Sequence, residues 1–124
     1  EWGNWSNIVT LSLDGNNFSG TLPPSWSSLV FLGEINLVSN EISGELPDSW
    51  ASLVNLDSLL LGFNQLTGTL PAGYSSMTSM QSMSLEGNSF TGTLPGTWAS
   101  MGGLQTLTLS DNQLSGELPV SWSA

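Results

Sequence analysis

The side chains of this sequence that can carry chemistry are carboxylates, hydroxyls, amides and indoles. Its 124 residues contain 10 Asp and Glu and 6 Trp but no Lys, Arg, His or Cys, giving a formal net charge of −10. Without His and Cys, the commonest general base, the thiolate nucleophile and the usual zinc and copper ligands are missing, so neither a metal site nor a cofactor is expected. The chemistry left to carboxylates is acid–base work, above all glycoside hydrolysis, which needs two of them about 5 to 10 Å apart. Without Lys and Arg nothing can neutralise phosphates or anionic lipid headgroups, which excludes nucleic-acid binding and electrostatic adhesion to a membrane. No apolar run approaches the roughly 20 residues that cross a bilayer, so membrane insertion is not expected either. Disulfides are unavailable, and stability has to come from buried apolar surface and backbone pairing.

An internal repeat positions these groups. Written in rows of 24, the chain reads LPPSWSSLVFLGEINLVSNEISGE from Leu22, LPDSWASLVNLDSLLLGFNQLTGT from Leu46, LPAGYSSMTSMQSMSLEGNSFTGT from Leu70 and LPGTWASMGGLQTLTLSDNQLSGE from Leu94, with no insertion or deletion. Residues 1–124 are thus one array: a partial turn 1–21, repeats 22–45, 46–69, 70–93 and 94–117, and a stub 118–124. Trp2, Trp26, Trp50, Tyr74, Trp98 and Trp122 keep the phase, as do Asn16, Asn40, Asn64, Asn88 and Asn112, and Gly20, Gly44, Gly68, Gly92 and Gly116. Each row carries L-x-x-L-x-L-x-x-N-x-L, as in Leu104, Leu107, Leu109, Asn112 and Leu114, and then runs into S/T-G-x-L-P.

This pattern resembles the leucine-rich repeat. The S/T-G-x-L-P run resembles its plant-type and kinetoplastid-type subclass, and TLPGTWASM from Thr93 and LPAGYSSM from Leu70 are similar to repeats of kinetoplastid promastigote surface antigens. The resemblance implies a leucine-rich-repeat solenoid of the β-dominated α/β class. About five turns would present a parallel concave sheet, with a short second strand and 3-10 or short helical turns on the convex side. The Cys-rich caps usual in extracellular arrays are missing.

Alternation places Leu11 and Leu13, Ile35 and Leu37, Leu59 and Leu61, Met83 and Leu85, and Leu107 and Leu109 in the core. Five turns about 4.8 Å apart span roughly 24 Å. The Asn column should form a structural ladder, its amides satisfying loop backbone of their own and adjacent turns. The Gly column points to positive φ or close approach, and the Trp column to a convex layer of the core. Trp5 stands in a column otherwise filled by Leu29, Leu53, Met77 and Met101, and is expected in the core of the first turn.

The residues between the core positions face outward and form the candidate ligand surface: Thr10, Ser12 and Asp14; Glu34 and Asn36; Ser58 and Leu60; Ser82, Ser84 and Glu86; Thr106, Thr108 and Ser110. This face is rich in hydroxyls and holds no Trp, Tyr or Arg anchor for a tight interface. A protein or a glycan is the expected partner. A hydroxyl lattice also suits an ice plane, but Glu34, Leu60 and Glu86 interrupt it. Catalysis is not expected: Glu45 and Glu117 share a column but stand about 14 Å apart by the strand spacing, beyond the reach of a glycosidase pair.

Two sequons, at Asn4 and Asn17, are glycosylation acceptors in a secreted protein. Recurrent Ser near the Trp column, such as Ser28, Ser49, Ser76 and Ser100, reads equally as solubilising surface or as sites for attached sugar. Trp2, Trp5, Leu118 and Trp122 leave apolar surface at the two ends, so the chain is expected to be either an excerpt of a longer array or a subunit that stacks head to tail into filaments. The resulting expectation is a non-catalytic extracellular or cell-surface module with a structural or adhesive role. The alternatives are a filament subunit and a soluble receptor binding protein or glycan on the concave face.

Overall fold

The computed structural model describes residues 4–123, so Trp2 lies outside the described residues. The chain winds as a solenoid whose successive turns repeat one local structure. On one face β1 (Thr10–Ser12), β3 (Glu34–Asn36), β5 (Ser58–Leu60), β7 (Ser82–Ser84) and β8 (Thr106–Thr108) form a five-stranded parallel sheet, the expected concave surface. A second parallel sheet joins β2 (Ser19–Thr21), β4 (Glu41–Glu45) and β6 (Gln65–Thr67). Between the sheets, on the convex side, lie 3-10 turns at Pro24–Ser28, Asp48–Ser52, Ala72–Ser76, Gly96–Ser100 and Val120–Ser123. The described residues contain no α-helix.

The inward column of the first sheet, Leu11, Ile35, Leu59, Met83 and Leu107, stacks in register as the alternation requires. The first four of these are buried, while Leu107 is half-buried, as are Leu13 and Leu109. Each buried Leu or Ile contributes about 1.5 to 3 kcal/mol by leaving water. Leu32, Leu56 and Met80 fill the space between sheet and convex layer.

The aromatic column does more than fill volume. Trp26, Trp50, Tyr74 and Trp98 are buried, and the rings of Trp26 and Trp50 stack 5.7 Å apart at 7°. From Trp50 onward the rings also reach back to the preceding turn. Trp50 Nε1 donates to the Pro23 carbonyl at 3.0 Å, Tyr74 Oη to Pro47 at 2.8 Å, Trp98 Nε1 to Pro71 at 2.8 Å and Trp122 Nε1 to Pro95 at 3.1 Å. A donor at the far edge of the ring is therefore required, which is why Tyr replaces Trp here and Phe does not. Burial, with the nearby Asp48 charge adding to it, pushes the Tyr74 phenol far above its ordinary pKa and keeps its proton in place. The prolines hold φ between −67° and −72° and lead directly into the 3-10 turns.

The Asn ladder has a fixed pattern. Asn88 Nδ2 donates to Leu85 and Glu86 carbonyls in its own turn and to Leu61 in the preceding one, while its Oδ1 accepts the Leu66 N–H. Asn40, Asn64 and Asn112 repeat these bonds. Asn16 reaches only Leu13 and Asp14 of its own turn and is exposed. Gly20, Gly44, Gly68, Gly92 and Gly116 all take φ between +81° and +92°. At Gly44 a Cβ would also come within 2.9 Å of Thr21 Cγ2.

One expectation needs correction. Trp5 is not core: it is 47% exposed and lines an open apolar groove of about 370 Å³ with Leu11, Leu13, Phe18 and Trp26. The Leu and Met residues of its column are enclosed between the sheet and the aromatic layer, whereas Trp5 covers the outer side of the first turn. The convex hydroxyls are exposed and also bond across turns. Ser49 donates to Pro24, Ser76 to Ala51, Thr97 to Ala72, Ser100 to Ser75 and Ser121 to Gly96, so a hydroxyl ladder stitches each 3-10 turn to the one before.

Truncating a buried rung orphans several backbone groups at once. Asn88→Ala should cost about 2 to 3 kcal/mol and lower the urea midpoint followed by Trp fluorescence, whereas Asn16→Ala should change it little.

Candidate functional site

The outward positions of the concave sheet fall into two straight columns. Thr10, Glu34, Ser58, Ser82 and Thr106 pair across the strands, as do Ser12, Asn36, Leu60, Ser84 and Thr108. Strand alternation turns both columns away from the core. One residue pair further along each turn stand Asp14, Val38, Gly62, Glu86 and Ser110. The structure therefore brings all the sequence-derived surface residues onto one face.

Two carboxylates on this face are held by hydroxyls. Ser12 Oγ donates to Asp14 Oδ1 at 3.0 Å. Glu86 Oε2 accepts from Ser84 Oγ at 2.7 Å and from Thr108 Oγ1 at 2.5 Å, so one carboxylate ties strand β8 to the turn before it. Partial burial raises the Glu86 pKa, but the bonds from Thr108, Ser84 and its own backbone together outweigh that and hold it below the ordinary value. The carboxylate folds down over Gly62, where a Cβ would stand 2.9 Å from both its carboxyl carbon and Oε1. Any larger residue at position 62 would displace it.

Sequence reasoning missed Phe63. It follows Gly62 where the chain leaves the sheet, is 53% exposed and takes φ +57°. The signal was present in the repeat: the equivalent positions are Gly15, Ser39, Gly87 and Asp111, all small or short side chains and three of them Gly or Asp, and only here does a large ring occupy the column.

The other candidates are scattered. Asn4 and Asn17 are both exposed, and the Asn17 amide donates to Glu41 Oε1 of the next turn at 3.3 Å. Leu118 is 81% exposed, whereas Trp122 is half-buried beneath its bond to Pro95. No three acidic residues gather closely enough to hold a metal ion among the described residues.

Comparison with known proteins gives one consistent result. Leucine rich repeat family models match residues 55–114, and residues 7–29 and 31–53. The ectodomain of the Arabidopsis thaliana membrane receptor kinase GASSHO1/SCHENGEN3, solved in complex with CASPARIAN STRIP INTEGRITY FACTOR 2, is similar with a TM-score of 0.93 and 32% identity over 96% of this chain and 14% of that one. The plant peptide hormone receptor RGFR1, in complex with RGF2, is similar with a TM-score of 0.94 and 31% identity over 97% of this chain and 19% of that one. A plant ice-binding protein is similar with a TM-score of 0.93 and 30% identity over 98% of this chain and 39% of that one. The chain thus spans less than a fifth of either receptor chain and about two fifths of the ice-binding protein. No curated protein matches it.

The hydroxyl clamp on Glu86 can be tested by carboxyl NMR titration. Glu86 should titrate below the ordinary glutamate value, and Thr108→Val should raise its midpoint. Because the folded pKa is lowered, the stabilisation from this carboxylate is present above the ordinary value and is lost as pH falls through the lowered one.

Proposed function

We propose, for a chain that belongs to the leucine-rich-repeat family, that it is a non-catalytic extracellular module whose concave sheet receives an extended segment of a protein partner. The observation that carries this reading is the pair of outward columns, in register across five strands and lined with short polar side chains. Hydroxyls and the Asn36 amide offer donors and acceptors along the whole length of such a segment. Leu60 and Val38 supply apolar contact in the middle of the face. Of the structures it resembles, one is a membrane receptor kinase ectodomain in complex with an integrity factor and another is a peptide hormone receptor in complex with RGF2, which supports both the extracellular location and the protein partner. Adhesion through such contacts is compatible with the many small residues of the face, which favour breadth of contact over one deep anchor.

A second reading has its own observation. Along the second sheet and the isolated bridge beyond it, hydroxyls stand side by side on adjacent turns, Thr21 with Ser43 and Thr69 with Thr91, and nearly the whole chain resembles an ice-binding protein. Ice binding through this sheet predicts thermal hysteresis that Thr69→Tyr abolishes. A freezing point equal to the melting point in the unaltered chain would remove this reading.

The protein-partner reading is tested by panning a random dodecapeptide display library on the immobilised chain. Enriched peptides should lose binding to Ser84→Trp and to Thr108→Trp variants that retain the circular dichroism spectrum of the parent. Peptides that all tolerate both changes, or enrichment of glycans but no peptides on parallel arrays, would overturn it.

A further inference from the structure

Phe63 holds a backbone conformation that bulky residues rarely adopt, and strain of this kind persists at functional positions because something else requires the side chain. Its ring lies on Gly87 of the next turn, where a Cβ would come within 2.6 Å of Cδ1. Glu86 leans the opposite way, back over Gly62. The ring and the carboxylate thus reach across the same two adjacent turns in opposite directions, each over a glycine of the other's turn. The Phe63 N–H donates to the Glu86 carbonyl at 2.8 Å, which fixes the two residues relative to each other. Leu60 faces outward on β5, three residues before Phe63, and pairs with Ser84.

A carboxylate and an exposed aromatic ring on two residues joined across adjacent turns are suited to a cation. The carboxylate neutralises the charge, the ring face attracts it through its quadrupole, and an apolar neighbour accommodates the aliphatic stem that carries it. The chain has no Lys, Arg or His of its own to occupy the place, and its formal charge is −10. Building on the concave-face reading above, we propose that Glu86, Phe63 and Leu60 form a subsite for a cationic side chain of the bound protein segment. Ser84 and Thr108 are positioning residues: by donating to Oε2 they hold the carboxylate in place from two strands. Gly62 and Gly87 are the spaces into which the two side chains fold.

The probe is a pair of blocked pentapeptides, acetyl-Gly-Ser-Arg-Ser-Gly-amide and the same sequence with uncharged citrulline in place of arginine. Each is titrated into the isotope-labelled chain while the Phe63 ring and side-chain carboxyl resonances are followed by NMR. The arginine peptide should shift Phe63 and Glu86 to saturation and the citrulline peptide should not. Glu86→Gln and Phe63→Ser should each weaken the response at least about tenfold. Glu86→Gln keeps the shape and the acceptor oxygen, and Phe63→Ser installs the residue found at Ser39, so both variants should keep the remaining spectrum. Equal shifts with both peptides, or shifts shared equally among Asp14, Glu34 and Glu86, would overturn the cation subsite while leaving the concave-face reading standing. No shift on the concave face with either peptide would also overturn the subsite, and the display selection then decides the concave-face reading separately.

Discussion

A single turn of this chain cannot satisfy its own backbone, and everything else follows from that constraint. Where the chain bends out of the concave sheet, carbonyls such as that of Leu61 and N–H groups such as that of Leu66 have no backbone partner of their own. Asn64 and Asn88 supply the missing bonds within and across turns. An amide is the one short side chain with two donors and an acceptor in a plane, and neither Asp nor Leu could replace it. The spacing of 24 residues keeps each amide over the same carbonyls, so the period is fixed by hydrogen-bond geometry as much as by packing. The Trp–Pro bonds and the convex hydroxyls apply the same logic on the opposite side of the turn.

Stacking of this kind separates positions that are fixed from positions that are free. Inward residues tolerate only exchanges of similar volume, as where Met83 stands in for Leu or Ile and Phe90 for Leu66. Outward residues of the concave sheet pack against nothing inside, so Ser58, Glu34 and Thr106 can share one column without cost to the core. Chemical variety therefore accumulates on one face, and the solenoid supplies it with a rigid backing.

The sequence is legible wherever one column determines one environment. Leu59, Asn88, Gly68 and Trp50 each occupy a place dictated by phase alone, which is why the turns, both sheets and the candidate face follow from the rows. Legibility ends where a side chain crosses between rows. The positions of the Phe63 ring and the Glu86 carboxylate depend on glycines in each other's turns, a diagonal relation that no column displays. The Ser76 hydroxyl is a similar case: its bond to Ala51 runs 25 residues back, one step out of phase, so its column suggests surface although its oxygen is bound to backbone. Trp5 differs again, because the enclosing layers that bury Leu29 and Leu53 do not surround it.

Charge bears on how such a face selects what it holds. Carboxylates are few, and the sequence offers no Lys, Arg or His to pair with them, so each enters an encounter with its charge unneutralised. Long-range attraction from the summed charge favours basic partners in approach and falls with salt, but it cannot distinguish one basic segment from another. Selection has to come from a charge whose position is fixed. Asp14 has one hydroxyl donor from its own turn, whereas Glu86 has two donors on different strands and a glycine beneath it. A carboxylate held from two turns loses little freedom when a cation arrives, so the same electrostatic contact yields more there than at a mobile acid. The left-handed turn at Phe63 is sustained by the same stacked scaffold, and its ring covers the neighbour of the one carboxylate fixed in this way.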